Sequence, residues 1–393
     1  MTTIGVKSEV YLEKAKKLAA YFAEDAVVRD KLGGTPKKQK DQIRESGLLN
    51  LLIPEEFGGE GQHWSTALEI VREFSKTDAA LGHLFGYHSL FVSDIQIKGT
   101  KEQQAFFYPQ SVQQNAFWGN SSNPLNESLL GKRQGKSYLL NGTKAFSSGS
   151  PDSQYLWLSF NDAVTGQYMN GVIPTKKPGI SVRDNWNAIG QRQTGSGKVD
   201  FKNVELEEHE IIDDFVKNPT PFSTLGPSLS QLILTNVFIG SAFGAMAEAK
   251  KYTTSKTRPW LTAGVEKASH DPGILRKYGE LWIQSKAASV LADEAAKLLD
   301  QVWEKEKELT EEERGELAVS VATANVFSGK AALDVTSSIF EVMGARSVNN
   351  EYGYDRFWRN VRTHTLHNPA EYKLRNIGNW VLNEQYPTPN PYA

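Results

Sequence analysis

Two histidines stand three residues apart in the run THTLHNPAEYKLR, His364 and His367, and His367 lies just before an Asn-Pro pair that opens a helical pattern. The chain has only seven histidines. Imidazole titrates near neutral pH, so such a pair can move protons or hold a metal. A second pair, His83 and His88, occurs in GHLFGYHSLF. Neither pair has the H-E-x-x-H context or a nearby carboxylate set, so no metal is expected. Other chemistries drop out by residue type. With no cysteine, thiol catalysis, iron–sulfur clusters, cysteine zinc sites and disulfides are excluded. There is no G-x-S-x-G elbow and no P-loop. Gly59-Glu60-Gly61 and Gly195-Ser196-Gly197 each lack the third glycine of a dinucleotide fingerprint.

The elements that must position these residues fall into three units. At 393 residues the chain is long for one core. Hydrophobic residues make up 39% and charged ones 23%, the balance of a globular protein, and a net charge of −2 offers no field for nucleic acid or anionic lipid. The start, MTTIGVKSEV, lacks the apolar core of a signal peptide, so a cytoplasmic protein is expected. Residues 1–115 read as helices, with apolar residues at helical spacing through EVYLEKAKKLAAYFAEDAVVRD and TALEIVREFSKTDAALGHLFGYHSLFVSDI. Residues 116–215 switch to short aromatic and β-branched runs such as YLLNGTKAFSS, QYLWLSF and KVDFKNVEL, with Asn141-Gly142 as a hairpin signal.

Residues 216–393 return to long helices. Asp271-Pro272 caps one, Thr310 with Glu313 forms a capping box, and Gly344 ends a helix. Glu371 reads as a cap of the last helix. No charge occurs between Lys217 and Glu248, long enough to span a membrane, but Pro219, Pro221, Pro227 and Asn236 favour a buried bundle helix. The expected fold class is α+β: an N-terminal helical domain, a central β-barrel or sandwich and a C-terminal helical bundle, with a cofactor in the clefts between them.

On that scaffold LLIPEEFGG, LNGTKAFSSGS, FKNVEL, KTRPW and EVMGARSVNNEYGYDRFWRNVR follow in an order that resembles the acyl-CoA dehydrogenase superfamily of flavoproteins. GYH (86–88), WNAIGQRQTGSG (186–197), TRPWLTAGVEKASHDP (257–272) and the C-terminal RTHTLHNP segment resemble its two-component flavin monooxygenases, most closely the dibenzothiophene monooxygenase branch. The resemblance implies reduced FMN delivered by a separate NAD(P)H:flavin reductase, O2 as co-substrate, and a C4a-hydroperoxyflavin that oxygenates an aromatic sulfur heterocycle such as dibenzothiophene, or a related ring such as indole. It also implies a homotetramer. Two alternatives remain: an FAD-dependent acyl-CoA dehydrogenase, and a non-enzymatic binding or assembly subunit. A dehydrogenase needs a carboxylate base, but His367 stands at one family position for it and no Asp or Glu occurs from 215 to 247, which leaves only Glu371.

The resemblance carries the following roles onto this chain. His367 handles the proton step, and His88 faces the substrate or the peroxide. Phe146 packs beside the flavin ring, and Ser148 bonds the ring edge. Asn120, in FWGNSSNP, reaches the flavin pyrimidine, although NSSNPLNES departs from the T-E-P-x-A-G-S-D run of ordinary dehydrogenases. Trp186 closes the pocket beside flavin or substrate, Ser196 donates to the flavin, and Phe91 lines the substrate pocket. Arg258 and Arg346 hold the flavin phosphate, to which forked guanidinium donors are suited, in part across a subunit boundary.

Overall fold

The computed structural model describes residues 3–390. The chain begins with α1 (Thr3–Ala23), α2 (Ala26–Leu32), α3 (Lys37–Glu45), α4 (Trp64–Ser75), α5 (Ala79–Lys98) and α6 (Lys101–Gln114). Two stretches whose apolar spacing reads as continuous helix are each broken near an aspartate. The first breaks at Glu24-Asp25. The second breaks before Asp78, whose carboxylate accepts the Ala80 and Leu81 N–H groups at the start of α5 and pairs with the buried Arg29. An aspartate that satisfies orphan N–H groups fixes a helix start that periodicity alone runs through.

The middle of the chain forms β1 (Trp118–Ser121), β2 (Leu130–Gln134), β3 (Ser137–Lys144), β4 (Tyr155–Asp162), β5 (Tyr168–Pro174), β6 (Ile180–Val182), β7 (Val199–Leu206) and β8 (Ile211–Ile212). They make one mixed sheet in the order β6-β7-β3-β2-β4-β5-β8, with β1 parallel to β4. Most of β4 is buried on both faces, which is why its sequence is a near-continuous apolar run. The sheet curls until Leu206 of β7 lies 3.0 Å from the place a Gly171 Cβ would take on β5. Leu140, Leu158, Phe160, Ile173 and Phe201 fill the interior. The hairpin turn between β2 and β3 falls at Gly135-Lys136, not at Asn141-Gly142. That pair lies inside β3, where the register with β7 shifts between Leu140 and Gly142. A Cβ on Gly142 would collide with the Ser128 carbonyl, so the glycine marks a bulge with close backbone approach.

The remainder comprises α7 (Asp214–Lys217), α8 (Gly226–Ser255), α9 (Pro272–Lys305), α10 (Glu311–Met343), α11 (Asp355–Thr365) and α12 (Ala370–Asn383). The cap at Asp271-Pro272, the Thr310/Glu313 capping box and the stop at Gly344 form as expected. The N-cap of α12 is Pro369, with no side-chain capping bond among the described residues, so the capping bond expected of Glu371 is not seen there. Helix α8 is long and apolar enough to cross a membrane, but most of its apolar stretch is buried inside the protein. Gly240 and Gly244, one turn apart on α8, let it approach the end of α4. A Cβ on Gly240 would stand 2.6 Å from the Ser75 Cβ, and one on Gly244 would strike the Lys76 carbonyl. One apolar core runs through the helices on both sides of the sheet in the sequence.

Candidate active site

After β3 the backbone turns sharply. Phe146 adopts φ +57°, a left-handed conformation rare for an aromatic residue, and its ring is 59% exposed. The ring meets Trp186 edge-on, with centroids 5.8 Å apart. Two residues on, Ser148 Oγ lies 2.7 Å from Ser196 Oγ, which lies 2.6 Å from Thr194 Oγ1. The Thr194 hydroxyl donates to the Gln191 carbonyl at 2.8 Å, and Trp186 Nε1 donates to the same carbonyl at 2.9 Å. Asn120, at the end of β1, gives its backbone N–H to the Ser148 carbonyl at 3.1 Å. Its side-chain Oδ1 accepts the Ser122 N–H at 2.9 Å, which leaves the amide NH2 as the face for a ligand. Asn120, Phe146, Ser148, Trp186 and Ser196 therefore share one shelf. Behind it the fully buried Lys40 of α3 donates to the Gly149 and Pro151 carbonyls, and burial lowers its pKa to about 7.

A second cluster is built by α5, α11 and the turn after α11. His83, Tyr87 and Phe91 recur every fourth residue and share a face of α5. Tyr87 packs on His83 at 4.3 Å between ring centroids, and Phe91 meets Tyr87 edge-on at 5.9 Å. The Tyr87 hydroxyl lies 2.8 Å from Ser230 Oγ of α8. His364 of α11 stacks on the other histidine, 4.5 Å from His83. Both His83 ring nitrogens and His364 Nδ1 are buried without a hydrogen-bond partner.

Burial lowers the His83 pKa to about 3, with help from His367. It also holds His364 well below its ordinary range, aided by His83 and then His367. His367 is exposed to solvent, yet enough protein surrounds it to lower its pKa to about 4, by desolvation first and then by the Lys373 ammonium. Buried polar nitrogens without partners are costly, and they cluster at sites made for a ligand.

Shelf and cluster are joined. Leu84, next to His83, would lie 3.2 Å from a Cβ on Gly149, next to Ser148. The Gln191 N–H donates to Asn360 Oδ1 of α11 at 2.6 Å. A Cβ on Gly190 would collide with the Arg359 carbonyl, so the loop that carries Trp186 and Ser196 can press onto α11 only with glycine there. Helix α11 thus fixes that loop with Asn360 and presents His364 one turn further on.

His88 needs a correction. It does not join this cluster. Its ring is 1% exposed, its Nε2 lies 2.8 Å from the Leu49 carbonyl, and its Nδ1 accepts the Trp118 N–H at 3.1 Å. Both nitrogens serve backbone groups, which fixes the neutral tautomer with the proton on Nε2. Burial lowers its pKa to about 4. Five residues from His83, it points from another face of α5 and ties β1 to the turn after α3. Sequence reasoning weighed His83 only as a metal ligand, although its spacing to Tyr87 and Phe91 was the available signal. Phe91 shares the His83 face and also stacks on Trp157 at 6.3 Å. Arg258 is exposed after α8, and Arg346, after α10, donates to the Lys256 carbonyl at 2.6 Å. That bond sets Arg346 beside Lys256, two residues before Arg258, and among the described residues neither arginine bonds a shelf residue. Among the described residues no group of three metal-type side chains is placed to hold an ion.

An exposed aromatic ring, a pair of hydroxyls and a buried carboxamide donor on one shelf fit the edge of a flat, polar heteroaromatic such as a flavin. The comparisons agree. The acyl-CoA dehydrogenase N-terminal, middle and C-terminal domain models match residues 11–115, 119–204 and 232–371. The probable FMNH2-dependent monooxygenase SfnC of Pseudomonas putida is 40% identical, covering 96% of each chain. The methanesulfinate monooxygenase MsuC of Pseudomonas fluorescens superposes with a TM-score of 0.95 at 43% identity, covering 97% of this chain and 99% of that one. The dibenzothiophene monooxygenase TdsC of Paenibacillus sp. A11-2, solved with FMN and indole, gives a TM-score of 0.94 at 39% identity over the same shares. With its three domains in register and relatives of this kind along nearly its whole length, the chain belongs to the acyl-CoA dehydrogenase family, in the branch of FMNH2-dependent monooxygenases.

Proposed function

We propose that the protein takes reduced FMN and O2 and oxygenates a small organosulfur compound or flat heteroaromatic, with dibenzothiophene oxidised to its sulfoxide and sulfone as the leading case and indole as a related one. One oxygen atom enters the substrate, the other leaves as water, and the FMN leaves oxidised. The observation that carries this reading is the His83–His364 stack, with His367 beside it, set against the Phe146–Ser148–Ser196 shelf.

Bound reduced FMN supplies the electrons that activate O2. The chain's own residues do the rest. Phe146 and Trp186, already in contact with each other, would pack beside the ring, Asn120 would offer its amide NH2 to the ring's polar edge, and Ser148 would meet the ring edge. With their pKa values lowered, His83, His364 and His367 are neutral at pH 7. His367 therefore relays a proton, accepting on one nitrogen and giving from the other, and does not arrive charged. Tyr87 and Phe91 present an aromatic wall to the substrate, and their packing with the buried histidines excludes water. Arg258 and Arg346, both at the surface, are suited to an FMN phosphate bound to a neighbouring subunit, which requires at least a dimer and suits a homotetramer. A cytoplasmic reductase supplies the flavin.

The dehydrogenase alternative is weaker. The putative acyl-CoA dehydrogenase YdbM of Bacillus subtilis is only 22% identical. Anaerobic loading with reduced FMN, followed by O2 and dibenzothiophene, indole or methanesulfinate in separate runs, tests the proposal. Oxygenated product from one of them supports it. Bleaching of bound FAD by an acyl-CoA would favour the dehydrogenase.

A further inference from the structure

The hydroxyls of Ser148, Ser196 and Thr194 form a chain whose direction is set at its far end. The Gln191 carbonyl can only accept. The Thr194 hydroxyl, 2.8 Å away, donates its single proton there, beside the Trp186 Nε1–H and the Thr194 backbone N–H. Ser196 lies 2.6 Å from Thr194, and with that proton committed Ser196 has to be the donor between them. Ser148 lies 2.7 Å from Ser196, whose proton is now committed too, so Ser148 donates to Ser196. Every proton in the chain points away from the shelf. The Ser148 oxygen is left with only lone pairs for whatever lies in front of it.

The chain is held in this geometry. The Gly149 N–H donates to the Thr194 carbonyl at 2.9 Å and the Ser147 N–H to the Gly197 carbonyl at 3.1 Å, clipping the two segments together. Thr194 is 1% exposed and Ser196 5%, so water is poorly placed to re-orient either hydroxyl. Gly195 between them takes φ +56° and packs on Pro151.

We propose that this hydroxyl chain makes the site selective for the redox state of its cofactor, with Thr194 and Ser196 as the residues that determine the selection. The inference rests on Ser148 facing the flavin ring, as in the proposed function. Reduction of a flavin adds a hydrogen at the central-ring nitrogen, which turns an acceptor into a donor. A Ser148 oxygen restricted to accepting matches the reduced ring and opposes the oxidised one, lone pair to lone pair. A protein that receives reduced FMN from elsewhere and must release it oxidised needs this discrimination. Thr194 touches no ligand and acts as a positioning residue. Without its hydroxyl, Ser196 can turn its proton toward Ser148, and Ser148 can donate outward.

The test is the affinity of the whole protein for both forms of FMN, measured by equilibrium dialysis with the reduced form kept anaerobic, together with the reduction potential of the bound flavin. Wild type should bind reduced FMN more tightly than oxidised. In Thr194→Val the ratio of the two dissociation constants should fall by roughly tenfold, since one hydrogen bond is reversed. That change corresponds to a drop of about 30 mV in the two-electron potential of the bound flavin. Ser196→Ala should move the ratio in the same direction, which covers the case in which the Thr194→Val protein does not fold. Equal loss of affinity for both redox forms, with the ratio and potential unchanged in either folded variant, would overturn the proposal. A wild-type protein that binds neither form would remove the FMN reading itself, and this inference with it.

Discussion

His83 and His364 stack with their ring centroids 4.5 Å apart and 34° between planes, although they are far apart in sequence and sit on different helices. Neither His83 nitrogen has a hydrogen-bond partner. A Phe side chain at position 83 would keep the stack and remove only the nitrogens. The His83→Phe variant should therefore fold and bind FMN within about twofold of wild type, while substrate oxygenated per reduced FMN drops roughly hundredfold, the low end of the usual weight of a proton-transfer group. Hydrogen peroxide, assayed in the same samples, should rise to match. Unchanged coupling would take His83 out of the chemistry.

His88 should behave in the opposite way. His88→Leu leaves the Trp118 N–H and the Leu49 carbonyl without partners inside the protein. At about 1–3 kcal/mol for each unsatisfied buried group, the expected cost is about 2 kcal/mol of stability or more. Denaturant melts would show it, and the folded fraction should couple flavin oxidation to product as wild type does. A stable variant that releases peroxide would restore His88 to the active site.

Acid should destabilise the fold through the same histidines. Burial lowers the pKa values of His83 and His88 to about 3 and 4 in the folded protein, against an ordinary 6.5. The unfolded chain takes up these protons first. Their contribution to stability is complete above about pH 6.5 and is lost as the pH falls toward 4, on the order of a few kcal/mol. Melts across that window would check it, and the slope should be shallower in His83→Phe. A flat profile above pH 4 would contradict the burial described here.

Arg258→Ala addresses the subunit boundary. The side chain is exposed. If it serves a neighbour's FMN phosphate, FMN affinity should fall roughly tenfold or more, the weight of a charged hydrogen bond, while affinity for riboflavin, which has no phosphate, stays the same. Equal effects on both ligands would dissociate Arg258 from the phosphate.

Much of this arrangement was legible in the sequence, but unevenly. Helix ends marked by local chemistry were clear, as at Asp271-Pro272 and Thr310/Glu313, because capping is decided within a few residues. Asn141-Gly142 misled, since the same pair that makes a turn also makes a bulge, and only the partner strand decides between them. The shelf residues come from three short segments, around Asn120, around Phe146 and from Trp186 to Ser196, which motifs can reveal. His83 and His364 meet only through the packing of α5 against α11, and no spacing along the chain encodes that meeting. His88 was the more conspicuous histidine in its motif, and its role was settled by two backbone groups from other elements.

The most direct test of the central claim is to mix the protein, loaded with reduced FMN, with 18O2 and dibenzothiophene, indole or methanesulfinate, and to weigh the products by mass spectrometry. The account expects one of these substrates to gain a single 18O atom per reduced FMN consumed, with little hydrogen peroxide. If the protein demonstrably holds the flavin and yet every reducing equivalent appears as peroxide, with no labelled product from any of the three, the claim that this site oxygenates such substrates is wrong.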